Sequence, residues 1–335
     1  MSAARLRLTK RFSRMTPNIF PDRRQYEKLP LLAFTSGDGA GIGPESVIRA
    51  LHSPRLRAVC RPVLIGERQV WLRAGWRPSL APCLDTGLGL KAPPYGKTGP
   101  SAARASFAAL RLAWRLAARG LVDAIVTAPV SKKSWHEAGI GYRDHTEYFS
   151  AQTGRRSEMV LCAPGKKLWC LLATRHIPLN RVSSSLNAAA VADAANCLSA
   201  ALRRLGGPFR PRLGLCGLNP HAGEEGLLGG EERRILLPAL KRARSAGIRL
   251  EGPIAADTAW RRHVEGKLDG LICLYHDQAL IPLKTAAGLG VVNWTVGLPF
   301  VRTSPGHGTG FDIAGKGLAD PAATIAAAEL AASLC

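Results

Sequence analysis

Leu31-Leu-Ala-Phe-Thr-Ser-Gly37-Asp-Gly-Ala-Gly-Ile-Gly43-Pro-Glu45 places an apolar run of strand length before a glycine-rich turn and a helix start. Pro44 suits a first helical position, because its missing N–H would have no partner there, and Glu45 faces the positive end of the helix. Strand, turn and helix in that order open an α/β unit, and the pattern recurs. Further strand-like runs are 62–65, 124–127, 159–162, 169–173, 213–216, 271–275 and 291–296. Helical stretches at 101–119, 183–205, 230–246 and 320–334 separate most of them, the first three stopping at Gly120, Gly206 and Gly247. The alternation predicts α/β layers around a largely parallel sheet.

Composition bounds the function classes. Of 335 residues, 46% are hydrophobic and 21% charged, enough apolar content for a large core and too much for a disordered chain. No apolar run reaches membrane-spanning length, so no membrane partner is expected. The net charge of +22 would suit nucleic acid, a lipid surface or anionic small substrates. Aromatics are only 6% and nowhere interleave with Arg and Gly as in an RNA-binding strand, so no nucleic-acid partner is expected. Residues 1–29 read as a basic, disordered extension. The eight cysteines include no C-x-x-C pair, and most sit inside apolar runs, as reduced thiols do. With no apolar segment after the basic N-terminus, a reducing, cytoplasmic setting is expected.

Ligands of open α/β sheets bind beyond the carboxyl ends of strands. Three apolar runs end alike. Trp169–Ala173 leads into Thr174-Arg175-His176, 213–218 into Asn219-Pro220-His221, and Leu271–Tyr275 into His276-Asp277-Gln278. Three imidazoles at such edges could converge on one ion, the donor set of a catalytic zinc or cobalt centre. Asp257 and Asp277 are candidates to orient the rings or, for Asp257, to act as base; helix capping would explain them equally. Asp144-His145-Thr146-Glu147 has capping-box spacing, and a helix start there would offer N–H groups, with His145 and Thr146, to a phosphate or carboxylate. Lys284, Asn293 and Arg302 follow His276 closely and could form a phosphate clamp. The 37–43 turn fails the dinucleotide fingerprint, since the third glycine would fall on Ile42 or Pro44; a backbone-packing turn and a ligand-facing loop both remain open. His52, His136 and His263 read as helix-surface residues. Neither a nucleophile elbow nor a reactive cysteine context is present, so covalent hydrolase chemistry is not expected.

The ordered motifs at 37–45, Thr127-Ala-Pro-Val-Ser-Lys132, 144–147, 173–179, 218–224, 275–278 and 297–304 closely resemble the 4-hydroxythreonine-4-phosphate dehydrogenase family of pyridoxal phosphate biosynthesis. The resemblance runs from about residue 30 to the C-terminus. It implies an isopropylmalate-dehydrogenase-like fold of two α/β domains around a central cleft: 30–138 with 300–335, and 139–299 carrying the metal histidines. It also implies a homodimer with a shared site, NAD or NADP, and a divalent metal (zinc, with cobalt or magnesium as alternatives) on His176, His221 and His276. Substrate contacts carry over to His145, Thr146, Lys284, Asn293 and Arg302; the cofactor's residues remain unassigned. The chain departs from the family pattern at Gly39, usually Pro, at Gly306, usually Asp, and across 225–230. Two rivals stand beside this expectation: a sister dehydrogenase for threonate or erythronate 4-phosphate, and a phosphate-binding acyltransferase on a related fold.

Overall fold

The structure, a computed structural model, describes residues 28–335, so residues 1–27 of the basic extension lie outside it. In chain order the strands are β1 (Leu31–Thr35), β2 (Arg61–Ile65), β3 (Cys83–Leu84), β4 (Ala124–Thr127), β5 (Glu158–Ala163), β6 (Leu168–Leu172), β7 (Leu213–Cys216), β8 (Leu250–Ile254), β9 (Gly270–Cys273), β10 (Val292–Val296) and β11 (Val301–Pro305). The α-helices are α1 (Gly43–Leu51), α2 (Pro54–Val59), α3 (Arg68–Arg73), α4 (Pro100–Ala118), α5 (Lys132–Glu137), α6 (His145–Thr153), α7 (Val182–Ser185), α8 (Ala188–Arg204), α9 (Leu237–Ser245), α10 (Ala256–Val264), α11 (His276–Ala287) and α12 (Ala322–Ser333).

Two compact units divide the chain. The first runs to Ser157 and resumes at Leu298; the second is Glu158–Gly297. The expected boundary at 138/139 therefore moves to 157/158. The reason is apolar: Tyr148 and Phe149 of α6 are buried with Trp135, Leu110 and Phe300 in the first unit's core. Transfer of two aromatic side chains out of water ties that helix to the first unit.

In the first unit the strand order is β3-β2-β1-β4-β11, parallel throughout. Every residue of β1 and β2 is buried, as in a parallel sheet covered on both faces. In the second unit the order is β10-β5-β6-β9-β7-β8. Here β5 runs antiparallel to both its neighbours, a departure from the largely parallel expectation, while β6, β9, β7 and β8 are parallel. Four residues, 164–167, join β5 to β6, too few for the crossover that parallel pairing requires.

Other differences have local causes. The run at 271–275 stops as a strand at Cys273, and α11 begins at His276. The 183–205 helix breaks at Leu186-Asn187, where the Asn187 side chain accepts from Ala190 N at 2.8 Å and caps α8. The 230–246 helix opens with a π turn over Glu232–Leu236. Strands β3, β8 and β11 and helices α2, α3 and α11 had no reading from the sequence, and α5 and α10 had none beyond the helix-surface placement of His136 and His263.

The glycine-rich turn settles as a backbone junction. Asp38 N donates to Pro129 O (2.9 Å) and Ile42 N to Thr309 O (2.8 Å). Gly37 has φ +63°, and a Cβ there would lie 2.4 Å from Pro129 O. Both the dihedral and the space require glycine. Gly37→Ala is therefore expected to cost about 3 kcal/mol of unfolding free energy, the sum of left-handed strain and a displaced backbone, read as a lower urea midpoint.

Candidate active site

The second unit delivers three histidines to one sheet edge. Strands β6, β9 and β7 are adjacent and parallel, and His176, His276 and His221 each follow a carboxyl end. The strand ends are laced together. Ala173 N donates to Cys273 O (2.8 Å), and Thr174 Oγ1 to Leu274 O (2.6 Å). Gln278 accepts from Leu274 N (2.7 Å) and donates through Nε2 to Gly217 O (2.8 Å), bridging the ends of β9 and β7.

The His176 and His276 rings lie 5.6 Å apart, centroid to centroid. His276 is the first residue of α11, and its Nδ1 sits 2.6 Å from Asp277 Oδ1. A neutral ring donating Nδ1–H to that carboxylate keeps the Nε2 lone pair for a cation, as oriented metal-binding imidazoles do. His221 begins a left-handed run through Glu225, with φ +52°. His176 is left-handed too, at φ +51°. Such dihedrals cost non-glycine residues free energy and collect at functional sites. The donor types and the paired rings fit a borderline divalent cation. His221 is not brought into that pair, and among the described residues no three His, Cys, Asp or Glu side chains are spaced to hold one ion. Asp257 is exposed in the first turn of α10. Lys284 is exposed on α11, and Asn293 sits on β10 with its Oδ1 buried and lacking a hydrogen-bond partner.

The first unit builds a separate cationic centre. Arg302, on β11, is 3% exposed. Its Nε and Nη2 donate to Thr127 Oγ1 (3.1 and 2.5 Å), and Nη2 also donates to His145 Nδ1 (3.1 Å). A guanidinium has no acceptor, so His145 Nδ1 must accept and the ring proton resides on Nε2. Burial first, then the charges of Arg302 and Lys132, hold the His145 pKa well below its ordinary 6.5. Burial likewise pushes Arg302 down to about 10, with Asp144 opposing. The guanidinium stays charged at neutral pH beside a neutral imidazole. Asp144 caps α6 by accepting from Glu147 N (2.9 Å), and the Glu147 carboxylate accepts from Arg143 N (2.5 Å), one residue before the position a capping box would use. His145 and Thr146 thus open a nine-residue helix next to a buried cation, an arrangement suited to an anion.

Thr127, Gln278, Glu231 and Glu232 escaped the sequence reading as site residues. The first two lie inside quoted motifs, where position alone gave no role. His263 was misread. It is 2% exposed, with Nε2 accepting from Trp169 N (2.9 Å) and Nδ1 bonded to Leu268 O (2.9 Å). The buried stripe Ala259, Trp260, His263 was the available signal. All eight cysteines are free.

Residues 59–331 match the family described as pyridoxal phosphate biosynthetic protein PdxA. The chain belongs to this family. It is 39% identical over 325 residues to the 4-hydroxythreonine-4-phosphate dehydrogenase of Caulobacter vibrioides, covering 90% of this chain and 97% of that one. It is 38% identical over 327 residues to the D-threonate 4-phosphate dehydrogenase of Cupriavidus necator, covering 91% and 97%. Among solved structures, a 4-hydroxythreonine-4-phosphate dehydrogenase from Klebsiella pneumoniae superposes with a TM-score of 0.78 at 36% identity, covering 91% of this chain and 99% of that one. The family assignment agrees with the α/β fold and with the dehydrogenase reading drawn from the motifs. No helix among the described residues is long and apolar enough to cross a membrane.

Two buried histidines set the acid response. His145 and His263 both hold folded pKa values below 6.5, His263 mainly through burial. Below about pH 6.5 the unfolded chain takes up protons that the folded one refuses, so their stabilisation is complete above that value and drains as pH falls. The unfolding free energy from urea titration should drop between pH 7 and pH 5, by up to about 1.4 kcal/mol per pH unit for each histidine. His263→Gln should flatten part of that slope.

Proposed function

We propose that the chain oxidises 4-phosphooxy-L-threonine at its 3-hydroxyl with NAD or NADP and decarboxylates the resulting β-keto acid to 3-amino-2-oxopropyl phosphate, in pyridoxal phosphate biosynthesis. The observation behind it is the delivery of His176, His276 and His221 from three adjacent parallel strands to one edge. Family membership and relatives named for this reaction support it.

In this reading His176, His221 and His276 hold a divalent cation, zinc or alternatively cobalt or magnesium, with Asp277 orienting His276. Bound there, the cation would supply fixed positive charge to stabilise developing oxyanions, and the dinucleotide would supply the hydride acceptor. The chain's own residues bind and orient. Arg302 supplies charge and His145 its Nε2–H to the phosphate, and the first turn of α6, with Thr146, adds N–H donors. Lys284 and Asn293 are further substrate contacts. Fixing the phosphate, remote from the reacting carbon, limits the substrate to reactive orientations.

A second reading has specific support: the relative from Cupriavidus necator is named for D-threonate 4-phosphate. Its substrate shares the phosphate and the 3-hydroxyl and differs at the 2-position. We also infer a homodimer, supported by leucines left in solvent on the histidine-bearing segments, Leu179 at 72% and Leu227 at 82% exposed. Sedimentation at a single monomer mass would overturn that inference.

Dinucleotide reduction with 4-phosphooxy-L-threonine, run beside threonate and erythronate 4-phosphates and with a chelator, tests the reaction. Turnover confined to 4-phosphooxy-L-threonine and abolished by the chelator is expected; a higher kcat/KM for a sister acid would replace the substrate. His221→Ala should lose bound metal and turnover while keeping its circular dichroism; full metal content with normal turnover would refute the ligand role. Arg302→Ala should weaken phosphate-dependent binding by on the order of 2 kcal/mol, roughly 30-fold in KM. An unchanged KM would remove Arg302 from the clamp.

A further inference from the structure

Two consecutive acids, Glu231 and Glu232, lie at the start of the π turn that opens the helix after the His221 loop. Glu232 is 6% exposed, yet its carboxylate is fully engaged. Oε1 accepts from two successive backbone N–H groups, Leu218 (2.8 Å) and Asn219 (2.9 Å), and Oε2 from Asn219 Nδ2 (2.9 Å). Burial opposes ionisation, but the bonds from Asn219 and Leu218 outweigh it and keep the carboxyl below its usual range. Glu231 Oε2 accepts from the same Asn219 amide (3.0 Å), while its Oε1 accepts from Ser183 Oγ (2.8 Å). Ser183 belongs to α7, seven residues beyond His176, and Asn219 stands two residues before His221. The loop clears room for this contact. A Cβ on Gly223 would fall 2.7 Å from Glu232 Oε2, and one on Gly229 would fall 2.5 Å from Asn219 Nδ2.

We propose that Glu231 and Glu232 form a strut that locks the His221 segment to the His176 segment, and so set cation affinity as positioning residues, not as ligands. This rests on the reading above that the histidines hold a cation. Charge-assisted bonds to two backbone amides fix where the chain leaves β7, and hence where the left-handed turn bearing His221 begins. The Ser183 contact transmits the same constraint to the segment that follows His176. Loss of an outer partner of this kind costs metal sites roughly 10- to 100-fold in affinity.

The test uses the whole chain, freed of metal, with Co2+ alone as the probe. Glu232→Ala should exchange amide hydrogens over 217–223 at least about tenfold faster than wild type, and should bind Co2+ at least about tenfold more weakly, by its visible absorption. Glu232→Asp should recover part of both. Ser183→Ala, which removes only a hydroxyl, should speed exchange over 176–185 alone, and it decides the matter if Glu232→Ala fails to fold. Wild-type exchange rates in these variants would overturn the strut, as would faster exchange with unchanged Co2+ affinity. If the wild-type chain binds no Co2+, the cation reading fails and with it the proposed effect on affinity. Exchange then decides only whether the strut holds the two segments.

Discussion

Gln278 holds together the ends of the strands that carry the three histidines. Its side-chain oxygen takes the Leu274 amide and its nitrogen gives to Gly217 O, so one buried residue bridges the ends of β9 and β7. Thr174 makes the matching link from the end of β6 to Leu274. Parallel strands alone would bring three carboxyl ends to the same edge, but strand ends fray, and their last carbonyls and amides need partners. Replacing water by these side chains makes the edge a fixed platform. The loops that leave it can then adopt costly backbone conformations, as at His176 and His221, because the residues before them cannot relax.

The first unit solves a different problem, which is keeping a charge out of water. A buried guanidinium is tolerated only when its donors are used, and Arg302 spends them on Thr127 and His145. The cost is visible in the lowered pKa of both partners. A carboxylate in contact with Arg302 would satisfy the charge more cheaply, and it would also neutralise the site. A hydroxyl and a neutral imidazole satisfy geometry while leaving net positive charge, which suits an anion. The same reasoning explains why a histidine stands at the first position of α6: it accepts from the arginine on one side of its ring and offers N–H from the other.

Much of this was legible in the sequence because it is local. Strand, glycine turn and helix at 31–45 are written in consecutive residues, and so is the Asp144 cap. The histidines could be placed at strand ends from the apolar runs before them. What could not be read is order in space. That β9 lies between β6 and β7, so that His276 stands beside His176, depends on pairings between strands separated by more than forty residues. The antiparallel turn of β5 hides for the same reason, since its residues are as apolar as those of a parallel strand. The boundary implied at 138/139 differs from the one at 157/158 because no local signal says which core the following helix joins; Tyr148 and Phe149 decide it. His263 shows the converse error: a polar residue on a helix was read as surface, when two backbone groups were waiting to satisfy it.

The departures from the family pattern can be weighed by what fills their places. At Gly39, where the family usually has Pro, a Cβ would meet Val70 and Pro93 at 3.0 and 3.2 Å, and the guanidinium of Arg73 bonds the carbonyls of Gly39 and Pro93 while resting 3.9 Å from the Tyr95 ring. A cation stacked on an aromatic ring and bonded to two carbonyls restrains a turn by contacts, where a pyrrolidine would do so by a fixed dihedral. The turn's other anchors, to Pro129 and Thr309, are backbone bonds that do not depend on the residue at 39. At Gly39 the turn is thus braced by Arg73 and by these backbone bonds. At Gly306, where the family usually has Asp, the neighbouring His307 has its buried Nε2 without a hydrogen-bond partner. The two departures are not equivalent: contacts within the same unit brace the turn at Gly39, whereas a buried polar atom beside Gly306 is left without a partner.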